Sequence, residues 1–154
     1  MKLTELLSQI KPYVLGWIRD YQTTGQVRAN NVPKFVGLQS PLTSTSWDGD
    51  SFSDTAKTLI DLSSVFGTPA GIKAVMLAVD IRDSGSAANS TYIIFAPNAT
   101  ANIGTGGNPP PVNDRWGSFT VIVPCDANGD IYYEIEASGA TTFDVVVRVW
   151  GYWL

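Results

Sequence analysis

The sequence predicts a mainly β protein: an antiparallel β-sandwich of the jelly-roll type that follows a short N-terminal α-helix. Two observations lead to this prediction. Apolar residues recur at helical spacing near the start of the chain, and beyond residue 33 they alternate along short segments that end in turn residues. The composition agrees, because 14 Gly, 9 Pro and a charged share of only 16% are typical of turn-rich β proteins.

Residues 1–21 are interpreted as a helical segment, with the helix itself over Thr4–Tyr21. Its apolar residues follow one another at steps of three and four, as at the a and d positions of a coiled coil. Pro12 removes an internal hydrogen bond, so one kinked helix or two short ones are expected. A helix this short is marginal alone and has to pack on further copies of the chain or on its own sandwich. The seam consists of Leu3, Leu7, Ile10, Val14, Trp17 and Tyr21.

Residues 22–33 are polar and are interpreted as a linker, and residues 34–154 as the sandwich domain. The clearest alternation runs from Val75 to Ile81, where every second residue is a large aliphatic one that is expected to face the core. The predicted strands are Lys34–Leu38, Lys57–Leu62, Ile72–Arg82, Thr91–Ala96, Ser118–Pro124, Ile131–Ala137 and Thr142–Trp153, with a weaker one at Leu42–Trp47.

Two connections are predicted with particular features. The last two strands are expected to form a hairpin around Ser138–Ala140. Pro97–Trp116 is expected to be one long loop, and loops of this length are usually functional or covered by a neighbour.

The final strand is apolar on both faces, which requires that both be covered. Phe143, Val145, Val147, Val149 and Trp153 are assigned to the core face. Val146, Arg148, Trp150 and Tyr152 are assigned to the other face. That second set mixes aromatic residues with an arginine, as in the centres of protein interfaces. It predicts an interface between copies, although loops or the N-terminal helix are an alternative cover.

Composition and charge exclude several classes of function. The chain has no histidine, which removes the commonest general base and the Ser-His-Asp and Cys-His arrangements. A net charge of −4 with scattered basic residues argues against nucleic-acid binding. No segment approaches the roughly 20 apolar residues of a membrane span, and no signal peptide is recognised. We therefore expect a non-enzymatic protein without cofactor, metal or membrane insertion.

Glu134 and Glu136 are the obvious carboxylate pair, and they share one face of a predicted strand with Tyr132. Their spacing of about 6.6–6.8 Å falls within the range of an inverting glycosidase. However, such carboxylates face each other across a substrate, whereas these point the same way. The alternatives are contact with a sugar or a partner, and a plain solvated face.

The loop Asp126–Asp130 places three side-chain oxygens at alternate positions, which invites a calcium site. It lacks the final bidentate glutamate, and Asn-Gly is a frequent turn, so a turn is favoured. The second acidic loop, with Asp48 and Asp50, is interpreted in the same way.

Trp47 and Trp116 are predicted to lie in loops beside acidic and amide residues. An indole in that setting suits the apolar face and the hydroxyls of a sugar, and packing beneath the loop is the alternative. The sequence therefore predicts a ligand-binding surface that includes Trp47, Asp48, Asp50 and Trp116.

The helix Thr4–Tyr21, the sandwich rich in Gly, Ser, Thr and Asn, and the closing Val147–Trp153 together resemble the receptor-binding or tip domains of bacteriophage tail and fibre proteins. The resemblance implies a homotrimeric virion component, made in the host cytoplasm, that binds a host-surface saccharide or protein and contacts other virion proteins. The chain departs from the pattern because it lacks a β-helical or collagen-like shaft. A head-decoration or scaffold protein and a stand-alone carbohydrate-binding module are therefore alternatives.

Overall fold

The computed structural model describes residues 32–44, 47, 54–85, 90–100 and 104–154, and residues 34–154 form a compact unit. The predicted helix with its apolar seam and most of the predicted linker lie outside the described residues. Asp48 and Asp50 lie outside them as well.

In the described part of the chain, eight strands form two antiparallel four-stranded sheets, which confirms the prediction of a mainly β fold. The elements are β1 Phe35–Leu42, β2 Asp54–Ile60, α1 Leu62–Phe66, β3 Ala74–Asp83, β4 Tyr92–Ala96, β5 Thr105–Gly107, β6 Gly117–Pro124, β7 Ile131–Glu136 and β8 Phe143–Trp153. The order is β1-β8-β3-β6 in sheet A and β2-β7-β4-β5 in sheet B, with every pair antiparallel.

The hydrophobic core lies between the two sheets. The predicted alternation in β3 is confirmed, because the aliphatic residues from Val75 to Ile81 are fully buried and those between them are not. Ile93 and Phe95 of β4 and Ile135 of β7 belong to the same buried cluster. Full burial of one such side chain stabilises the fold by about 1.5–3 kcal/mol, so these inward rows hold the sheets together.

Two predicted segments differ from the structure. The weak strand predicted at Leu42–Trp47 is not found in the described part of that segment, because β1 extends to Leu42, and Thr43, Ser44 and Trp47 lie outside any strand. The long loop Pro97–Trp116 contains the short strand β5, which pairs with β4 through Ile93 and Gly107. A Cβ at Gly106 would lie 1.9 Å from the carbonyl oxygen of Ile93, so this edge of the sheet admits glycine only.

The predicted hairpin around Ser138–Ala140 is wrong, because β7 belongs to sheet B and β8 to sheet A. The chain therefore passes from sheet B to sheet A between β7 and β8, and the buried carboxylate of Asp83 holds this connection in place. It accepts hydrogen bonds from the backbone N–H of Ser138 at 2.9 Å, from the Ser138 hydroxyl and from the backbone N–H of Gly85 at 2.8 Å. Burial raises the pKa of Asp83, but these hydrogen bonds together outweigh it, and the net pKa lies below the ordinary value.

A β-bulge in β8 changes which residues face the core. Met76 of β3 pairs with Gly151 and Leu77 pairs with Val149, so Trp150 is the extra residue. Tyr152 then lies opposite Val75 and packs against the core, contrary to the sequence assignment. Trp153, which was assigned to the core, lies opposite Ala74 on the outer face. There its ring centroid is 4.5 Å from that of Phe35.

Candidate ligand-binding surface

The outer face of sheet A carries a shallow depression of about 350 Å³. Its lining comes from β3, β6, β8 and the segment before β6, and consists of Asp80, Trp116, Ser118, Val146 and Arg148. We call it the Trp116 depression. Its residues stand in rows across the strands, because Asp80 pairs with Ser118 on one side and with Val146 on the other. The strand order of sheet A therefore assembles the depression from distant parts of the chain.

Asp80 links the polar groups of the depression. Its carboxylate accepts hydrogen bonds from the Ser118 hydroxyl and from the Arg148 guanidinium. The bond from Ser118 and then that from Arg148 lower the pKa of Asp80 below its ordinary value. The carboxylate is therefore ionised at neutral pH, and the three side chains are held in one arrangement before any ligand arrives.

Trp116 is held at the surface by a cation rather than by the core. The guanidinium carbon of Arg82 lies 5.0 Å from the centroid of the Trp116 ring, within the range of a cation–π contact. Arg82 is in turn bound by Asp144 of β8 and, at 2.8 Å, by Asp114. The indole remains 45% exposed. Two carboxylates thus position a cation, and the cation positions an exposed aromatic ring.

The remaining aromatic residue of the predicted ligand surface, Trp47, lies elsewhere. It packs against the core, with its ring centroid 5.5 Å from that of Tyr133 and the two rings nearly perpendicular. Its backbone N–H donates to the Ser44 hydroxyl at 3.1 Å. The structure therefore does not bring Trp47 and Trp116 together, and the geometry of Trp47 favours the alternative of packing beneath the loop.

Tyr132, Glu134 and Glu136 share the outer face of sheet B, as their spacing predicts. Both carboxylate oxygens of Glu134 are occupied within the sheet. The Tyr92 hydroxyl donates to one and the Lys57 ammonium to the other, each at 3.0 Å. The bond to Glu134, followed by burial, raises the pKa of Tyr92. The arrangement ties three strands together, which is the behaviour of a structural network.

The loop Asp126–Asp130 forms a turn, as expected, and joins β6 to β7 in the other sheet. One carboxylate oxygen of Asp126 accepts from the backbone N–H groups of Asn128, Gly129 and Asp130 at 2.8–3.0 Å. An oxygen that binds three N–H groups is arranged for hydrogen-bond donors rather than for a cation. Among the described residues, no group of three or more acidic or cysteine side chains is placed to hold a metal ion.

Cys125 lies beside this turn and is half-buried. Burial, followed by the negative charges of Asp126 and Asp130, raises the pKa of its thiol to about 12. The thiol is therefore protonated at neutral pH, as expected for a structural cysteine rather than for a nucleophile.

Sequence reasoning did not identify most of the polar residues around Trp116. The sequence did not single out Asp80, Arg82, Asp114, Ser118 or Asp144 as site residues. The signal available was the i, i+2 spacing of Asp80 and Arg82, which places both on one face. Their partners lie between 32 and 68 residues away in the chain, so only the strand order reveals them.

Comparison with known proteins finds no matching family model and no similar curated protein. Among the residues that the structure describes, none of the helices has the length and apolar character needed to cross a bilayer.

Proposed function

We propose that the sandwich is a jelly roll. The strand order supports this, because β1 lies beside β8, β2 beside β7, β3 beside β6 and β4 beside β5. Such nested pairs arise when one long antiparallel ribbon winds around itself, which is how an eight-stranded jelly roll is built. Jelly rolls are frequent among viral capsid proteins and lectins, and both are proteins that assemble or bind rather than catalyse.

We further propose that the Trp116 depression binds a saccharide. The observation that supports this most directly is the exposed indole beside a fixed set of hydrogen-bonding groups. A sugar presents an apolar C–H face, which stacks on an aromatic ring, and a rim of hydroxyls. Ser118, Asp80 and Arg148 lie next to the ring as donors and acceptors for those hydroxyls. Because their mutual bonds already fix them, binding would order few side chains.

The charges around the depression favour a neutral sugar over an acidic one. Arg82 and Arg148 are each paired with a carboxylate, and the set contains three aspartates, Asp80, Asp114 and Asp144, against those two cations. A sugar acid would have to displace an aspartate from its arginine. A neutral hexose meets no such competition.

The biological setting that we propose is a virion: a phage tail- or fibre-type component that attaches to a host-surface saccharide. The sequence resemblance and the jelly-roll order support it, as does the chain's lack of histidine, which disfavours an enzyme. A stand-alone carbohydrate-binding module would use the same depression. A phage structural gene cluster around the coding sequence would support the virion setting.

We also propose that the chain forms a homo-oligomer, with a trimer favoured by the resemblance. The half of the outer face of sheet A away from the Trp116 depression exposes apolar side chains, which we call the apolar half. Ile122, Phe35 and Trp150 of this half are each more than one-third exposed. A flat strand face of this kind loses unfavourable contact with water when a second copy covers it.

Saccharide binding is tested with the purified protein on a glycan array and on whole host cells. We expect neutral glycans to be bound, and Trp116→Ala to reduce binding at least tenfold because the stacking surface is lost. Leu59→Ala is the control, since it removes an exposed apolar side chain from the outer face of sheet B, and it should bind glycans as wild type does. Unchanged binding by folded Trp116→Ala would contradict the proposal and favour a scaffold role.

A further inference from the structure

A second depression, of about 510 Å³, adjoins the first. It lies where β5, the edge strand of sheet B, runs beside β6, the edge strand of sheet A. We call it the edge groove. Ser118 lines both the edge groove and the Trp116 depression, so the two form neighbouring sections of one surface.

One wall of the edge groove is formed by the triple proline Pro109–Pro111, which packs tightly against β6. A Cβ at Gly117 would lie 2.8 Å from Cδ of Pro110, so only glycine permits this approach. On the opposite side, a Cβ at Gly107 would lie 2.8 Å from the Phe119 ring. Each proline ring fixes its own φ angle, so the wall keeps its shape without a ligand and binding requires little ordering.

The lining of the edge groove contains no charged side chain. Pro110, Pro111 and Phe119 supply apolar surface, and Asn108 and Ser118 supply polar groups. The amide of Asn108 is oriented by its Nδ2, which donates to the carbonyl oxygen of Thr91 at 2.7 Å. Apolar rings beside neutral hydrogen-bonding groups match an uncharged sugar ring, whereas an anionic ligand would find no cation here.

We propose that the edge groove binds the next units of the same neutral glycan chain whose first unit stacks on Trp116. This inference rests on the proposed saccharide site, and it adds the class of ligand and the direction in which the ligand runs. The ligand is a linear oligosaccharide that leaves the Trp116 depression past Ser118 and follows the prolines. Binding of several units would then give each site an affinity that one hexose does not reach.

The test compares soluble neutral hexoses with their linear oligomers of two to five units, by NMR titration of the full-length protein. We expect the affinity of wild type to rise at least tenfold between one and three units. The double variant Pro110→Ala/Pro111→Ala should lose that gain and keep the affinity for one unit. Pro111→Ala alone, at an exposed position, should lose part of the gain and covers the case in which the double variant does not fold. Pro69→Ala, an exposed proline outside the groove, should behave as wild type.

The outcomes separate the two proposals. Loss of single-unit binding in Trp116→Ala supports the saccharide site whatever the effect of chain length. A wild-type affinity that does not rise with chain length overturns the edge groove as a subsite and leaves the saccharide site standing. Binding of a capped peptide of alternating threonine and valine, weakened by the proline changes and independent of Trp116, would also overturn it and identify the groove as a strand-pairing edge.

Discussion

The outer faces of the two sheets use the same kind of polar contact with opposite results. On sheet B, the carboxylate of Glu134 binds Tyr92 and Lys57, so the Tyr92 hydroxyl already has its partner within the sheet. On sheet A, the ion pairs of Arg148 and Arg82 flank Trp116 and leave its ring exposed. The pairs on sheet B lie within the strand network, whereas those on sheet A also hold an exposed aromatic ring in place.

This difference shows why a carboxylate pair alone is a weak guide to a site. Glu134 and Glu136 had the more conspicuous spacing in the sequence, yet the carboxylate of Glu134 is occupied by its own sheet. Asp80 and Asp144 had no conspicuous spacing, yet Asp144 holds the arginine that contacts the exposed indole, and Asp80 holds Arg148 in the same depression. What distinguishes the two faces is whether apolar surface remains exposed next to satisfied polar groups.

The largest expected effect concerns self-association of sheet A. Wild type should have a mass near three times 16.6 kDa by light scattering, and Trp150→Glu should reduce it to that of one chain, because a charge would be buried in the apolar half. Leu59→Glu is the matched control, since Leu59 is 48% exposed on the outer face of sheet B. It should leave the mass unchanged. A monomeric wild type would contradict self-association. Equal dissociation by both variants would show that association does not depend on the outer face of sheet A in particular.

The next effect concerns the link between the sheets. Asp83→Ala should lower the free energy of unfolding by about 3 kcal/mol, because the backbone N–H groups of Ser138 and Gly85 and the Ser138 hydroxyl lose the buried, charged acceptor that they share. Asp61→Ala removes the carboxylate that caps the short helix α1, and should lower the free energy of unfolding by less. Urea denaturation measures both. Equal losses of stability in the two variants would show that the connection between β7 and β8 does not depend on Asp83.

The carboxylate of Asp83 should also make the free energy of unfolding depend on pH in the acid range. Because the pKa of Asp83 in the folded protein is below its unfolded value of about 3.9, its contribution is fully present above about pH 4 and is lost as pH falls through the folded pKa. Thermal melts between pH 7 and pH 2 should therefore show a steeper acid-side decline in wild type than in Asp83→Asn. Parallel declines would assign the acid sensitivity to other groups.

A smaller effect contrasts two tryptophans. Trp47→Ala should lower the free energy of unfolding by about 2 kcal/mol, because its ring packs on Tyr133 and the core. Trp116→Ala should change it by less than about 0.5 kcal/mol, since the ring is held at the surface. Trp116→Ala, in contrast, should lower the glycan affinity more than Trp47→Ala does. If Trp47→Ala, while folded, abolished binding, the ligand surface would have to include the first loop.

The smallest effect tests the network on sheet B. Glu134→Ala should destabilise the protein by about 1 kcal/mol, because the Lys57 and Tyr92 side chains lose their shared acceptor in a partly buried position. Glu136→Ala, at the next position on the same face, should have a smaller effect. Neither change should alter glycan binding. A loss of glycan binding in Glu134→Ala would indicate that the ligand binds on sheet B instead.

The features of the fold that were readable in the sequence are those with a buried face. The alternation in β3 was predicted because each second side chain enters the core. The short strand β5 was missed because glycine is read as a breaker, whereas at Gly106 the closeness of Ile93 excludes any side chain. Helix α1 was missed although Asp61 and Gly67 are ordinary capping residues, since five residues are too few to show a helical period.

The candidate site was readable only in part. Trp116 was identified from its loop setting, but its partners depend on which strands are neighbours, and that order is a property of the whole chain. Arg82 and Asp144, for example, are 62 residues apart and meet because β3 pairs with β8. Alternation along one strand gives the face of a residue and does not give its neighbours across the sheet.

The bulge at Trp150 has a consequence for how this surface changes over evolution. Loss of that single residue would leave Val149 opposite Leu77 and Gly151 opposite Met76, so Tyr152 would stay against the core and Trp153 would stay outside. A deletion of one codon at this position would thus remove an exposed indole and leave the interior unchanged.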